Sequence, residues 1–213
     1  MFFSNVPCYD RIELECSEGV GQMVIVFGGA FNPPTIAHKE IYFHIEKAIE
    51  FSKFIYLPVS NLYTKRSLSS NYHRLQMLQL LIKDLPKASV SSLEFDDSDY
   101  LGTYQSMLRL QEKYPEEELA FVIGADNLYK LHKWINAKSL LSEFKFIILN
   151  REKKDIHSTL KNDSFLKDYL NQFIILPHFN LNISSTVFRE TFDPAYVSPE
   201  IYDYIIQNEL YRG

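Results

Sequence analysis

Short apolar runs alternate along this chain with longer stretches whose apolar residues recur at helical spacing. The runs are Met23 to Phe27 (MVIVF), Phe54 to Val59 (FIYLPV), Ala88 to Ser92 (ASVSS), Leu119 to Ile123 (LAFVI), Phe144 to Leu149 (FKFIIL) and Phe173 to Leu176 (FIIL). Most are apolar throughout and rich in β-branched and aromatic residues, which predicts strands buried on both faces of a parallel sheet. Between them the spacing predicts helices: from Ile36 onward, over Tyr72 to Ile82, over Thr103 to Tyr114, and briefly after Gly124. A Lys/Asp-rich stretch from Ile156 to Leu170 reads as a solvated helical crossover, Ser184 as the N-cap of a further helix, and Val197 to Tyr211 as a closing one. Strands alternating with helices define the α/β class, a parallel sheet flanked by helices on both faces, whose ligands bind at the carboxyl ends of the strands.

Residues 1 to 22 precede this alternation as an extension. Within it Arg11, Glu13 and Glu15 alternate with Ile12, Leu14 and Cys16, the pattern of a half-buried strand. An added edge strand, an arm onto a partner chain in a homo-oligomer, and a leader ahead of Met23 are all open to it. Residues 23 to 213 read as one domain, because 213 residues with 46% hydrophobic content can bury one full core.

Charge narrows the functional classes. Lys and Arg number 22 against 27 Asp and Glu, a net charge of −5 with no long basic run, which argues against a nucleic-acid footprint. Cys8 and Cys16, the two cysteines, lack metal-ligand spacing, and no apolar stretch has the length of a signal peptide or membrane span. The expected setting is cytoplasmic, with free thiols and no membrane partner.

The candidate chemistry begins at MVIVFGGAFNPPTIAHK, Met23 to Lys39. Gly28 and Gly29 end the apolar run, where glycine permits positive φ and lets a ligand approach the amides. Pro33 and Pro34 fix the loop, and His38 falls in the first helical turn. Unpaired amides and the positive end of the helix dipole favour an anion there, and an imidazole adds a donor. A second such helix start is Ser184, Ser185, Thr186, with Arg189 beyond it; the alternative is a capped helix with a surface arginine. Lys65 and Arg66, in the polar loop from Asn61 to Asn71, are either solvated charges or phosphate contacts. The acidic stretch EFDDSDY after the third run holds Mg²⁺ or is a solvated loop. Asp126, two residues past Gly124 at a strand's end, is placed to accept hydrogen bonds from a ribose hydroxyl.

Together these residues resemble the nucleotidyltransferase superfamily, whose signature is a glycine pair, Phe-x-Pro and His/Thr-x-Gly-His. Here it reads Gly28, Gly29, Phe31, Pro33, Thr35, His38, with Ala37 where glycine is usual. Further motifs follow in family order: Pro58 and Lys65; His73, Arg74, Leu75, Met77, Leu78; Gly124-x-Asp126 with Trp134 eight residues on; Ile183, Ser184, Ser185, Thr186 and Arg189; and the Tyr204-Ile205 and Leu210-Tyr211 pairs. Of the family's Ser-Tyr-Thr segment only Thr103 survives. Over residues 23 to 212 the resemblance is to bacterial nicotinate-nucleotide adenylyltransferases.

That resemblance implies a Rossmann-like nucleotidyltransferase fold and transfer of the adenylyl group of ATP to nicotinate mononucleotide. It implies catalytic roles for Thr35, His38, Lys65 and Arg189, and ATP contacts from Gly28, Gly29, Phe31, His38, Gly124, Asp126, Ile183, Ser184, Ser185 and Arg189. Asn32, Lys65, Arg74, Thr103 and Trp134 are implied at the acceptor, where Trp134 stacks on the nicotinate ring unless it simply fills core. Mg²⁺ is implied as a cofactor held mainly by ATP phosphates, with no protein metal ligand. Another phosphorylated acceptor, such as nicotinamide mononucleotide or pantetheine phosphate, and a nucleotide sensor without turnover remain as alternatives.

Overall fold

Six parallel strands lie in one sheet: β1 Met23–Gly29, β2 Lys53–Pro58, β3 Ala88–Val90, β4 Glu118–Gly124, β5 Lys145–Leu149 and β6 Phe173–Leu176. The structure, a computed structural model, describes residues 22–62, 67–97, 99–150, 155–177, 179, 181 and 183–212. The strand proposed for Arg11 to Cys16 lies outside them. Helices α1 Ile36–Ala48, α2 Asn71–Ile82, α3 Thr103–Lys113, α4 Ala125–Leu128, α5 Ala137–Glu143, α6 Ile156–Asn162, α7 Ser185–Thr191 and α8 Pro199–Gln207 complete the fold. None of the helices among the described residues is long and apolar enough to cross a membrane.

Strand order is β3-β2-β1-β4-β5-β6, so β1 and β4 are neighbours although two strands separate them in sequence. The strands after β1 are laid down towards one edge and those from β4 onward towards the other, and this change of sense between β1 and β4 opens a crevice outside their carboxyl ends. The period of two is visible in β1, where Val24, Ile25 and Val26 are all fully buried. Ile25 packs with Tyr42, Met77, Phe188 and Ile201 of α1, α2, α7 and α8 on one face. Val24 and Val26 pack with Met107, Leu128, Leu140 and Ile156 of α3 to α6 on the other.

The crossover predicted as one helix from Ile156 to Leu170 is broken. Asp163 ends α6, and its carboxylate accepts from the backbone N–H of Phe165 (2.8 Å) and Leu166 (2.9 Å), which restarts the chain as a 3₁₀ segment, Leu166–Gln172. A short acidic side chain bonding to the following amides competes in this way with helix continuation.

Candidate active site

β1 runs through both glycines before the chain turns. Neither Gly28 nor Gly29 has positive φ; what they supply is space. A Cβ on Gly28 would lie 2.7 Å from Cζ of Phe121, and one on Gly29 would lie 3.1 Å from Cζ of Phe31. It is Phe31 that takes the left-handed conformation, at φ 47°, with its ring edge-on to Phe27 (5.4 Å) and His38 (5.1 Å).

His38 is the third residue of α1 and Thr35 is the N-cap. The backbone N–H of Thr35 donates to His38 Nδ1 at 2.9 Å, and Thr35 Oγ1 lies 2.9 Å from the same nitrogen. Because Nδ1 is an acceptor, the neutral imidazole carries its proton on Nε2. The Tyr56 hydroxyl donates to the main-chain oxygen of His38 (3.0 Å), and burial pushes that phenol far above its ordinary pKa, so it stays a donor.

A cavity of about 500 Å³ opens beside His38. Phe31, Asn32 and His38 reach it from the β1–α1 segment, Ser67 and Leu68 from the loop before α2, and Ile183, Ser184, Ser185, Thr186 and Arg189 from the α7 segment. Ser184 caps α7 by accepting from the N–H of Val187 (3.2 Å), and Ser185 Oγ donates to the main-chain oxygen of Pro33 (2.7 Å). Arg189 donates through Nη1 to the main-chain oxygen of Asn32 and through Nη2 to Thr186 Oγ1 (3.3 Å). Two segments about 150 residues apart in sequence are thereby pinned together.

Two expected site residues lie beneath this cavity and not in its wall. Thr35 is fully buried and spends its polar atoms on His38. Arg74 is also fully buried: its guanidinium donates to the main-chain oxygens of Ala30 (2.9 Å), Val59 (2.6 Å) and Ser69 (3.1 Å) and to Asn71 Oδ1 (2.6 Å). It braces the loops that carry the cavity. Lys65 lies outside the described residues.

Gly124 and Asp126 sit at the carboxyl end of β4, beside β1. Asp126 is exposed in the first turn of α4, and a Cβ on Gly124 would meet nothing within 4 Å. Thr103 opens α3 behind Gly102, whose φ of 89° only glycine adopts readily and whose added Cβ would lie 2.9 Å from Ile135 Cβ. Trp134 is half-buried, edge-on to Phe121 at 6.1 Å and 84°, and the Phe121 ring covers Gly28. The segments that carry Thr103 and Trp134 thus meet at Gly102 and Ile135, and neither residue lines the cavity beside His38.

The acidic stretch is neither a metal cage nor simply solvated. Both carboxylate oxygens of Asp97 accept from Arg109 Nη1 (2.8 and 3.1 Å) while Nη2 donates to the main-chain oxygen of Leu93 (2.7 Å), and buried Glu94 accepts from Ser106 Oγ (2.6 Å). Among the described residues no group of three or more His, Cys, Asp or Glu side chains could hold a metal ion.

Comparison with known proteins gives these placements a family. The cytidylyltransferase-like family model matches residues 26–191. A protein of Acholeplasma laidlawii named "Probable nicotinate-nucleotide adenylyltransferase" is 32% identical over 89% of this chain and 98% of its own length. A protein of Carboxydothermus hydrogenoformans with the same name is also 32% identical, over 90% of this chain and 99% of its own. The chain belongs to the nicotinate-nucleotide adenylyltransferase family. The fold agrees: a Plasmodium falciparum nicotinic acid mononucleotide adenylyltransferase complexed with NaAD superposes with a TM-score of 0.72, at 22% identity over 89% of this chain and 97% of that one.

In this nicotinate-nucleotide adenylyltransferase family member, sequence reasoning passed over Thr186, Ser67, Leu68 and Tyr211, besides Ala30, Ala37 and Ile41 in the cavity wall. Thr186 stood inside the quoted motif, where its hydroxyl partners Arg189. Ser67 and Leu68 stood in a polar loop without periodicity, so no signal singled them out. Tyr211 was visible only as half of a terminal motif, yet its hydroxyl reaches Asn32 Oδ1 at 2.8 Å.

Proposed function

We propose that this protein is a cytoplasmic enzyme that transfers the adenylyl group of ATP to nicotinate mononucleotide, giving nicotinate adenine dinucleotide and pyrophosphate. An oxygen of the acceptor's 5′-phosphate bonds to the α-phosphorus of ATP. The bond from that phosphorus to the oxygen bridging the β-phosphorus breaks, and its electron pair leaves with pyrophosphate. A phosphate oxygen is already a competent nucleophile, so the protein's task is to hold two polyanions in line and neutralise the departing charge.

The observation that carries the reading is the pairing of His38 and Arg189 on one cavity, from opposite ends of the chain. His38 acts as a donor through Nε2–H while Nδ1 is held by Thr35. Arg189 offers a guanidinium to the β- and γ-phosphates, with Ser184 and Ser185 beside it. Thr35 and Arg74 support this arrangement from below. Gly124 and Asp126 serve the ribose, and Trp134 with Thr103 the nicotinate ring. The cavity offers imidazole, guanidinium and hydroxyls with no carboxylate cage, which suits Mg²⁺ bound through ATP phosphate oxygens and water. Such an ion would supply further neutralisation of the pyrophosphate.

A pyrophosphate-release assay with ATP tests this against nicotinate mononucleotide, nicotinamide mononucleotide and pantetheine phosphate. Turnover should be fastest with nicotinate mononucleotide. Release with pantetheine phosphate alone, or ATP binding without release for any acceptor, overturns the reading.

A further inference from the structure

Tyr211 follows α8 in a turn at φ 61°, and its side chain runs back under the cavity. The ring meets Phe188 of α7 edge-on (6.4 Å, 88°), and the hydroxyl donates to Asn32 Oδ1 at 2.8 Å. Asn32 is 2% exposed and joins four segments. Its Oδ1 also accepts from the backbone N–H of Ser69 (3.0 Å), its Nδ2 donates to the main-chain oxygen of Ser67 (3.4 Å), and its own main-chain oxygen accepts Arg189. A buried primary amide can in principle turn over about its last bond. Here a flip would set Nδ2 against a backbone N–H and would lose both bonds to Oδ1.

We infer that Tyr211 is a positioning residue: its hydroxyl locks the Asn32 amide, and through Asn32 it holds the Ser67–Ser69 rim and Arg189 in place for the phosphates of ATP. The inference rests on the adenylyl-transfer reading for the identity of the ligand, but not for the geometry. Burial pushes the Tyr211 phenol up to about 12, so at neutral pH it is protonated and able to donate. The residue does not touch the reacting atoms; it acts at one remove, from the far end of the chain.

Tyr211→Phe is the direct test, since it keeps the ring on Phe188 and removes only the hydroxyl. Melting temperature should stay within a few degrees of the parent. The ATP KM should rise roughly 5- to 10-fold, the scale of one lost hydrogen bond, while the KM for nicotinate mononucleotide stays near the parent value. In an Asn32→Ser background the same change should add less than it costs in the parent, because the path through Asn32 is already cut. Unchanged ATP KM and kcat overturn the inference, as do equal losses for both substrates or additive losses in the double variant. If the parent releases no pyrophosphate, the adenylyl-transfer reading alone fails. Calorimetric titration of ATP into parent and Tyr211→Phe then still decides the matter, and equal affinities overturn the role assigned to Tyr211.

Discussion

His38 Nδ1 lies 2.9 Å from the backbone nitrogen of Thr35, so the cavity's imidazole is oriented by the residue that caps its own helix. The orienting donor is main chain, and it survives any substitution at Thr35 other than proline. His38→Ala should therefore lower kcat by roughly 10²-fold or more with little change in melting temperature, the scale of losing one preorganised donor. Thr35→Ala should cost less than about tenfold, because only the hydroxyl contact goes. Thr35→His, although the superfamily signature permits histidine there, should lower the melting temperature, since that site is closed. Steady-state kinetics and thermal melts on the three variants separate these outcomes.

Arg74 is the clearest case of a charge used for architecture. Arg74→Met fills much of the same volume but leaves four oxygens without their donor, each orphaned acceptor costing about 1–3 kcal/mol. Thermal denaturation should show a loss on the order of 10 °C. Acceptor KM, measured below the transition, should stay within a few-fold of the parent. A stable variant with a greatly raised acceptor KM would return Arg74 to the ligand.

Trp134 is half-buried against Phe121, so its removal should register in two ways. Nicotinate mononucleotide should quench its fluorescence saturably and ATP alone should not. Trp134→Ala should raise the acceptor KM roughly 5- to 10-fold, the scale of lost stacking and cation–π attraction. It should also cost about 1–2 kcal/mol of stability, less than a fully buried aromatic. Trp134→Phe should recover most of the stability and part of the KM.

The ion pair from Lys83, at the end of α2, to Glu200, in the first turn of α8, makes a pH prediction. The hydrogen bond from Lys83 lowers the Glu200 carboxyl to about 2, and the same bond raises the Lys83 ammonium. A depressed carboxylate contributes stability that is present above its unfolded value near 4.5 and is lost as pH falls through about 2. The lysine's share is present below its unfolded value of 10.5 and is lost as pH rises past it. Melting temperatures of parent and Glu200→Gln should therefore differ slightly at neutral pH, converge towards pH 2, and converge likewise in high salt, since both side chains are half-exposed.

The sheet was legible because doubly buried strands must be apolar at nearly every position, and each of the six apolar runs became a strand. Residues contributed by local backbone form were legible too: His38 after a strand-turn-helix, and Ser184 as an N-cap. What stayed hidden depends on tertiary convergence. Nothing local in Arg74 says that carbonyls from two loops will meet it, and nothing in Asp97 says that Arg109, a helix away, will neutralise it. The Gly28 and Gly29 pair was legible as a need for glycine but not as to why. The reason is an aromatic ring from β4 and another from Phe31 pressed against them, and not a dihedral angle.

The strand order has a consequence for synthesis on the ribosome. Val26 sits opposite Ile55 on one side and Phe121 on the other, 29 and 95 positions away. When β1, β2 and β3 have emerged, β1, an interior strand of the finished sheet, still presents a bare edge, a ready template for pairing with another chain. That edge is covered only when β4 follows. Nascent chains held with β4 not yet emerged should therefore aggregate, and chains in which all six strands have emerged should not.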